Sequence, residues 1–254
     1  MGIVAERLSK IIQLTAVEAA YVDSLEVRSV HYPRRRVIQE AGDPNGQAFV
    51  LKSGWVISYS QLPDGSKQVR RLHFPGDLVA MPSLAFQHHA EDLEAVTDVL
   101  VSPFPKSALG PLFETHPRLA ALMFLFSQLE RVSFGDRLLS VATQSCKSRM
   151  AFLLVDILNR LRSADPSICD TIPMHLTREQ MAEITGMTPI HASRMWSELH
   201  REGTIAHDGS LLTILDEPRL LALSGWVSRF GDLDFDWLPA GSWKSDLRLS
   251  HRTA

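Results

Sequence analysis

The 254-residue chain predicts an α+β fold: an antiparallel sandwich or jelly roll, then a long helix, then a winged helix-turn-helix. Three observations lead there. Between Val27 and Val101, short runs rich in β-branched and aromatic residues alternate with turn residues. From Pro117 to about Thr143 runs the longest segment with helical period. From Thr177 to Ile205 the chain reads as two short helices joined by a glycine turn, and a small hairpin follows.

Residues 1 to about 27 read as helical, with Leu8, Ile11, Ile12, Val17, Ala20, Tyr21 and Leu25 as the buried set. The strands come next: Val37-Ile38, Ala48 to Leu51, Trp55 to Tyr59, Gln68 to Leu72, Leu93 to Thr97 and Val99 to Val101. Ala41-Gly42-Asp43, Lys52-Ser53-Gly54, Pro63-Asp64-Gly65 and Pro75-Gly76-Asp77 supply turns between them. Strands this short at this spacing indicate an antiparallel sandwich or jelly roll. Helix resumes from Pro103 to about Leu112.

In the long segment, Leu122, Leu125, Leu129, Val132 and Leu139 form one 3-4 stripe, interrupted by Asp136. Met123, Phe126, Phe134, Leu138 and Val141 form a second apolar side. A helix apolar on two sides must be covered on two sides. One side can pack on its own β domain. The other wants a second helix, most simply its twin across a two-fold axis. Complete burial within one chain is the alternative, and the pattern does not choose which stripe forms a seam.

Ser145 can cap a helix from Lys147 to about Ser163, with Met150, Leu153, Leu154, Ile157, Leu158 and Leu161 on its core face. Thr177 and Gln180 form a capping box at the start of the next helix, Arg178 to Thr185. Gly186 allows a sharp turn. Thr188 caps a second helix, and Pro189 at its first position loses nothing by lacking an N–H. Ala192, Met195, Trp196 and Leu199 face inward. Ile190, His191, Ser193, Arg194 and Ser197 lie largely on the other side, the arrangement that enters a DNA major groove, although any helical hairpin shares its outline. Ile205 to Ile214 then turns at Asp208-Gly209 as a wing. The stretch after Phe230 has no clear period; its Phe235, Trp237 and Trp243 suit either docking or an extended tail.

Composition narrows the chemistry. The apolar fraction is 45%, the charged fraction 22% and the net charge −3, so any basic footprint for nucleic acid must be local. Two cysteines are too few for a disulfide scaffold or an iron–sulfur cage. No apolar run reaches membrane-spanning length, and the expected location is the cytoplasm. His73, His88 and His89 could ligate haem or a metal, but no ligand spacing supports them. Cys146 lies at the hinge near Lys147 and Arg149, where positive charge and a helix start would favour its thiolate; redox sensing and plain packing both remain open. No nucleophile–base motif or phosphate loop stands out, so the chain is not expected to be an enzyme.

Several short motifs, in order, resemble the Crp/Fnr family of bacterial transcription regulators. They are Ala41-Gly42-Asp43, Leu51-Lys52-Ser53-Gly54, Leu62-Pro63-Asp64-Gly65, Pro75-Gly76-Asp77, Ala95-Val96-Thr97-Asp98, Asp136-Arg137-Leu138, Arg149-Met150-Ala151 and the Thr177–Ile205 stretch. The resemblance covers roughly Val30 to Leu223. It implies a double-stranded β-roll sensor (28–116) after the N-terminal segment (1–27), a dimerisation helix (117–144), a winged helix-turn-helix (145–230) and a tail (231–254). It also implies a homodimer on a pseudo-palindromic operator and contact with RNA polymerase.

The resemblance places the effector pocket near Leu78, Ala80, Met81, His89 and Ala90. Cyclic-nucleotide-binding members hold ribose with a Gly-Glu pair and the cyclic phosphate with an Arg-Ser pair. Here those positions are about Ala80-Met81 and His89-Ala90, so cyclic AMP binding of the usual kind is not expected, and a different small-molecule effector is possible. Residues 1–30 lack the cysteines of oxygen-sensing members. On the DNA side, Ser193 and Arg194 match the family's base-reading serine and arginine, while Ile190, after Pro189, replaces its glutamate. Arg194 can pair with guanine, Ile190 can touch a thymine methyl, and His191 can reach a phosphate or base. Thr177, Arg178, Thr188 and Arg201 are candidate phosphate contacts. An adaptor that docks a protein, or a metal-bearing cupin-type enzyme, are the competing readings.

Overall fold

The computed structural model describes residues 1–229 and 233–238; whether Trp243 docks or lies in an extended tail falls outside the described residues. The N-terminal segment is two helices, α1 (Ile3–Ser9) and α2 (Ala16–Ser24). Thr15 starts the second afresh. Its hydroxyl accepts from the Glu18 N–H, and the Glu18 carboxylate accepts from the Thr15 N–H at 2.8 Å. That new start resets the helical phase. Val17 is therefore 65% exposed and Ala20 also faces solvent, contrary to expectation, while Val22 joins Leu25 in the core.

Eight strands form the roll: β1 (Val30–Tyr32), β2 (Val37–Gln39), β3 (Gln47–Ser53), β4 (Val56–Gln61), β5 (Lys67–His73), β6 (Leu78–Val79), β7 (Asp92–Ala95) and β8 (Val99–Pro105). They make two antiparallel four-stranded sheets, in the orders β1-β8-β3-β6 and β2-β7-β4-β5. Phe49, Leu51, Val56, Leu93, Ala95 and Val101 fill the space between them. At Gly54, φ is +81° and a Cβ would meet the Asp98 carbonyl oxygen at 2.3 Å, so only glycine fits this turn.

β1 and β6 escape sequence reading because three and two residues carry too little periodicity. The helix expected from Pro103 is a correction. Phe104 stays in register with Ala48 and is buried, so β8 runs through Pro105. A 3-10 turn (Lys106–Leu109) and the short helix α3 (Gly110–Thr115) follow.

The long helix α4 spans Pro117–Thr143. Leu122 is buried against the roll and the N-terminal helices, Leu125 is buried too, and Phe126, Leu129 and Val141 are half-buried. Val132, Phe134, Leu138 and Leu139 are 40–61% exposed, and Phe124 is 58% exposed. The expected stripe from Leu122 to Leu139 thus changes sides along its length. A 3-4 spacing drifts by about 20° per heptad on a straight helix, which carries its upper end inward and its lower end outward. Asp136 leaves the stripe to accept two hydrogen bonds from Arg229, at 2.9 and 2.7 Å.

The remaining elements are α5 (Cys146–Ala164), β9 (Thr171–Pro173), α6 (Arg178–Thr185), α7 (Pro189–Arg201), β10 (Ile205–Asp208), β11 (Leu211–Ile214) and α8 (Glu217–Ser224). Ser145 caps α5, and all six expected core residues of that helix are buried. They share one apolar cluster with α6, α7 and the wing, and with Trp55, Leu72 and Phe74 of the roll. The wing is three-stranded, in the order β10-β11-β9, and turns at Gly209-Ser210. No helix among the described residues is long and apolar enough to cross a membrane.

Candidate nucleic-acid interface

The helix-turn-helix is built from local rules. Thr177 accepts from the Gln180 N–H, and the Gln180 side chain accepts from the Thr177 N–H at 3.0 Å, closing the capping box of α6. Gly186 ends the helix with φ +64° and takes the chain into the turn. Thr188 caps α7 by accepting from the His191 N–H, and its hydroxyl also meets His191 Nδ1 at 3.0 Å. Pro189 sits at the first position of α7.

Met195, Trp196, Ala192 and Leu199 anchor α7 to α5 and α6. The opposite face is open: Ile190 is 80% exposed, and His191, Ser193, Arg194, Ser197 and Arg201 are exposed beside it. Ser197 donates to the Ser193 carbonyl at 2.9 Å. Arg178 is less free than its neighbours. Its guanidinium stacks 3.6 Å from the centre of the Trp196 ring, and burial lowers its pKa. Arg178 thus braces the platform under the recognition face, a role invisible in the sequence because it joins two helices.

The expected effector residues sit together in the roll. Ala80 is buried in a left-handed conformation, φ +69°, at the start of a 3-10 turn, Met81–Ala85. The Ala90 N–H donates to Ser83 Oγ at 3.1 Å. His89 is buried with neither ring nitrogen hydrogen-bonded, and burial lowers its pKa against the opposing pull of Asp43. Leu78 and Met81 pack against the helical cluster of α1–α4. No lysine or arginine occurs from Leu78 to Asp92, so this segment offers a phosphate no cation. These residues do not fit a cyclic nucleotide held by an arginine fork.

His73 lies elsewhere, buried beside Asp77 and Ser58, and His88 is exposed. Among the described residues, no group of three or more His, Cys, Asp or Glu is placed to hold a metal ion. Cys146 is half-buried at the start of α5 and packs against the DNA-binding core; Lys147 beside it is paired with Glu202 at 2.6 Å.

A second centre was not legible in the sequence. Asp77 of the Pro75-Gly76-Asp77 turn is buried and pairs with Arg7 of α1 and with Arg160 of α5 at 2.8 Å, with Arg71 at 3.6 Å. Burial alone would raise its pKa, but Arg7, Arg160 and Arg71 hold the carboxyl well below the usual carboxylate range. Arg160 also donates to the Leu72 carbonyl, Arg137 of α4 to the Arg70 carbonyl and Gln68 of β5 to the Glu183 carbonyl of α6. Burial pushes Arg137 down to about 10. This network joins roll, long helix and DNA-binding domain. Pro-Gly-Asp read alone signals only a turn.

Comparison with known proteins places both halves. Residues 29–116 match the cyclic nucleotide-binding domain family, and residues 148–223 match the Crp-like helix-turn-helix domain family. The Electron transport regulator A of Shewanella oneidensis is 24% identical over 84% of this chain and 84% of its own length. The nitrogen fixation regulation protein FixK of Bradyrhizobium diazoefficiens is 26% identical over 83% of this chain and 90% of its own. The structure of FixK2 from Bradyrhizobium japonicum superposes with a TM-score of 0.71 at 22% identity, covering 79% of this chain and 98% of that one. A β-roll, a long helix and a Crp-like helix-turn-helix, in one order and over most of the chain, make this protein a member of the Crp/Fnr family of transcription regulators, a family of DNA-binding regulators rather than enzymes.

Proposed function

We propose that this protein is a homodimeric regulator that reads a pseudo-palindromic operator through α7 and contacts RNA polymerase in the cytoplasm. The observation that carries the reading is the recognition face. Ile190, His191, Ser193, Arg194, Ser197 and Arg201 stand exposed on a helix whose other face is fully anchored. Arg194 pairs with guanine N7 and O6, Ile190 takes an apolar contact such as a thymine methyl, and Ser193 and His191 complete the readout. Thr177, Thr188 and Arg201 position the helix on phosphates.

The apolar residues left open on α4, among them Phe124, Val132, Leu138 and Leu139, support a two-fold partner on that side. The roll senses a ligand other than cyclic AMP, because its pocket segment lacks a cation and holds a neutral buried His89 instead. The sensor's state changes how the long helices pack and so turns the two α7 helices into or out of register with half-sites about one helical turn apart.

The test is an anisotropy titration, at fixed salt, on a duplex enriched from random sequence by the wild-type protein. Arg194→Ala is expected to weaken specific binding by about 1–3 kcal/mol and relax preference at one position, with the dimer intact. Unchanged affinity and preference would overturn the assignment.

A further inference from the structure

Beyond α8 the chain turns back along α4. Gly225 ends α8 with φ +60°, and a Cβ there would stand 3.1 Å from Gln144 Nε2. That side-chain amide donates to the Ser224 carbonyl at 3.0 Å. Arg229 then holds Asp136 through its two hydrogen bonds. Trp237 meets Phe124 edge to face, with ring centres 6.5 Å apart. Gln144, Asp136 and Phe124 are separated by multiples of four, so all three lie on one i, i+4 ridge of α4. The described contacts therefore follow a single ridge of the long helix back toward its start. There Leu238 is buried in the apolar cluster of α1, α2 and the first turns of α4, with Phe235 packed against it. Leu78, Met81 and Leu84, from the segment expected to hold the effector, pack against the same cluster. Residues 225–229 and 233–238 lie beyond the matched helix-turn-helix domain, which ends at Leu223.

This path is a short tether. From Gln144 to Asp136 the helix rises about 12 Å, at about 1.5 Å per residue. The five residues that lead from Ser224 to Arg229 reach about 17 Å when fully extended. The DNA-binding domain can therefore move away from α4 by only about 5 Å before Arg229 must let go of Asp136. The grip is also light. The side chains of Arg229 and Asp136 are both partly exposed, and the rings of Phe124 and Trp237 are each more than half exposed. A wet ion pair and a wet ring contact do little to offset the entropy lost in ordering an extended segment. Contacts of this kind open at low free energy while the cores on either side stay folded.

We propose that the segment from Gly225 to Arg229 and from Leu233 to Leu238 is a releasable strap on the long helix. Docked, it ties the DNA-binding domain to the apolar cluster beneath the sensor's effector segment. Released, it frees that domain to swing about the break between α4 and α5 at Gln144-Ser145. Repacking of Leu78, Met81 or Leu84 then reaches the DNA-binding domain through Leu238 as well as through the long helices. The link to the effector rests on the sensor reading above; the strap itself does not.

The test uses the full-length chain carrying two dyes for energy transfer. One sits on Cys169, which is exposed on the DNA-binding domain, and the other on the roll at Gln87→Cys, with Cys146→Ala removing the remaining thiol. Excess unlabelled protein keeps labelled protomers apart. Wild type is expected to give one narrow distance distribution. Arg229→Asp sets two carboxylates face to face, and Trp237→Ala with Leu238→Ala empties the far anchor. Each should shift the mean distance by about 5 Å or more, or at least double the width of the distribution. Arg229→Asp combined with Asp136→Arg rebuilds the pair in reverse and should restore the wild-type distribution. An unchanged distribution in either released variant would overturn the strap, and so would a charge swap that restores nothing. No DNA enters the measurement, so either result leaves the α7 reading standing.

Discussion

Arg160 Nη2 lies 2.8 Å from Asp77 Oδ2, although one residue belongs to α5, the first helix of the helix-turn-helix domain, and the other to a turn of the β-roll. The same carboxylate receives Arg7 from the N-terminal helix and accepts from the Phe74 N–H at 3.0 Å. A single buried anion therefore fastens three parts of the chain. An uncompensated group of arginines is left if that anion is removed.

Asp77→Ala is accordingly expected to destabilise the fold by about 3–5 kcal/mol, the usual cost of breaking a buried ion pair from one side. Chemical denaturation measures it directly. A loss below about 1 kcal/mol would mean that water already screens these charges.

The histidines predict a pH dependence with a definite direction. Burial lowers the pKa of His73, helped by Arg71, and lowers those of His89 and His175 as well. Below about 6.5 the unfolded chain binds protons at these sites that the folded chain refuses. Stability from the three neutral rings is thus present above that pH and is lost as pH falls beneath it. Asp77 acts in a separate window: its depressed pKa gives stability that is lost only as pH falls below about 3.9. The thermal midpoint should fall between about pH 7.5 and 5.5, with burial of Glu91 and Glu183, which raises their pKa values, working the other way only toward the lower end of that range. A flat profile across that range would contradict the burial of these rings.

The exposed lower half of α4 predicts the dimer seam. Leu138→Glu with Leu139→Glu should give a monomer in sedimentation, whereas Val17→Glu, at an equally exposed site on α2, should leave the assembly unchanged. A dimer that survives the double substitution would place the two-fold axis elsewhere.

Gly186 links the hinge region to the recognition turn. A Cβ there would stand 3.1 Å from Val141 Cγ1, and φ is +64°. Gly186→Ala should cost about 1–2 kcal/mol, seen as a lower thermal midpoint. A gain in stability would show that the turn relaxes away from α4.

Short-range chemistry was the part readable from sequence. Thr177 with Gln180, Gly186, and Thr188 with Pro189 each act within four residues, so the capping box, the turn and the start of α7 could be placed closely. The core faces of α5 and α7 followed from spacing alone. What escaped depends on residues far apart. Asp77 gathers Arg7 and Arg160 from 70 and 83 positions away, and no local pattern marks such a meeting. The same is true of Trp237 beside Phe124. The α2 phase failed for the opposite reason: Thr15 and Glu18 form a strong local start that the long reading of one helix passed over.

The most direct measurement is selection of bound sequences from random duplex DNA, with and without reductant. A two-fold symmetric motif is predicted, with half-sites about one helical turn apart and a guanine where Arg194 reaches the groove. The same motif with and without reductant would leave Cys146 as a packing residue. Enrichment of an asymmetric motif, or of none, would contradict the account of a dimer reading its operator through α7.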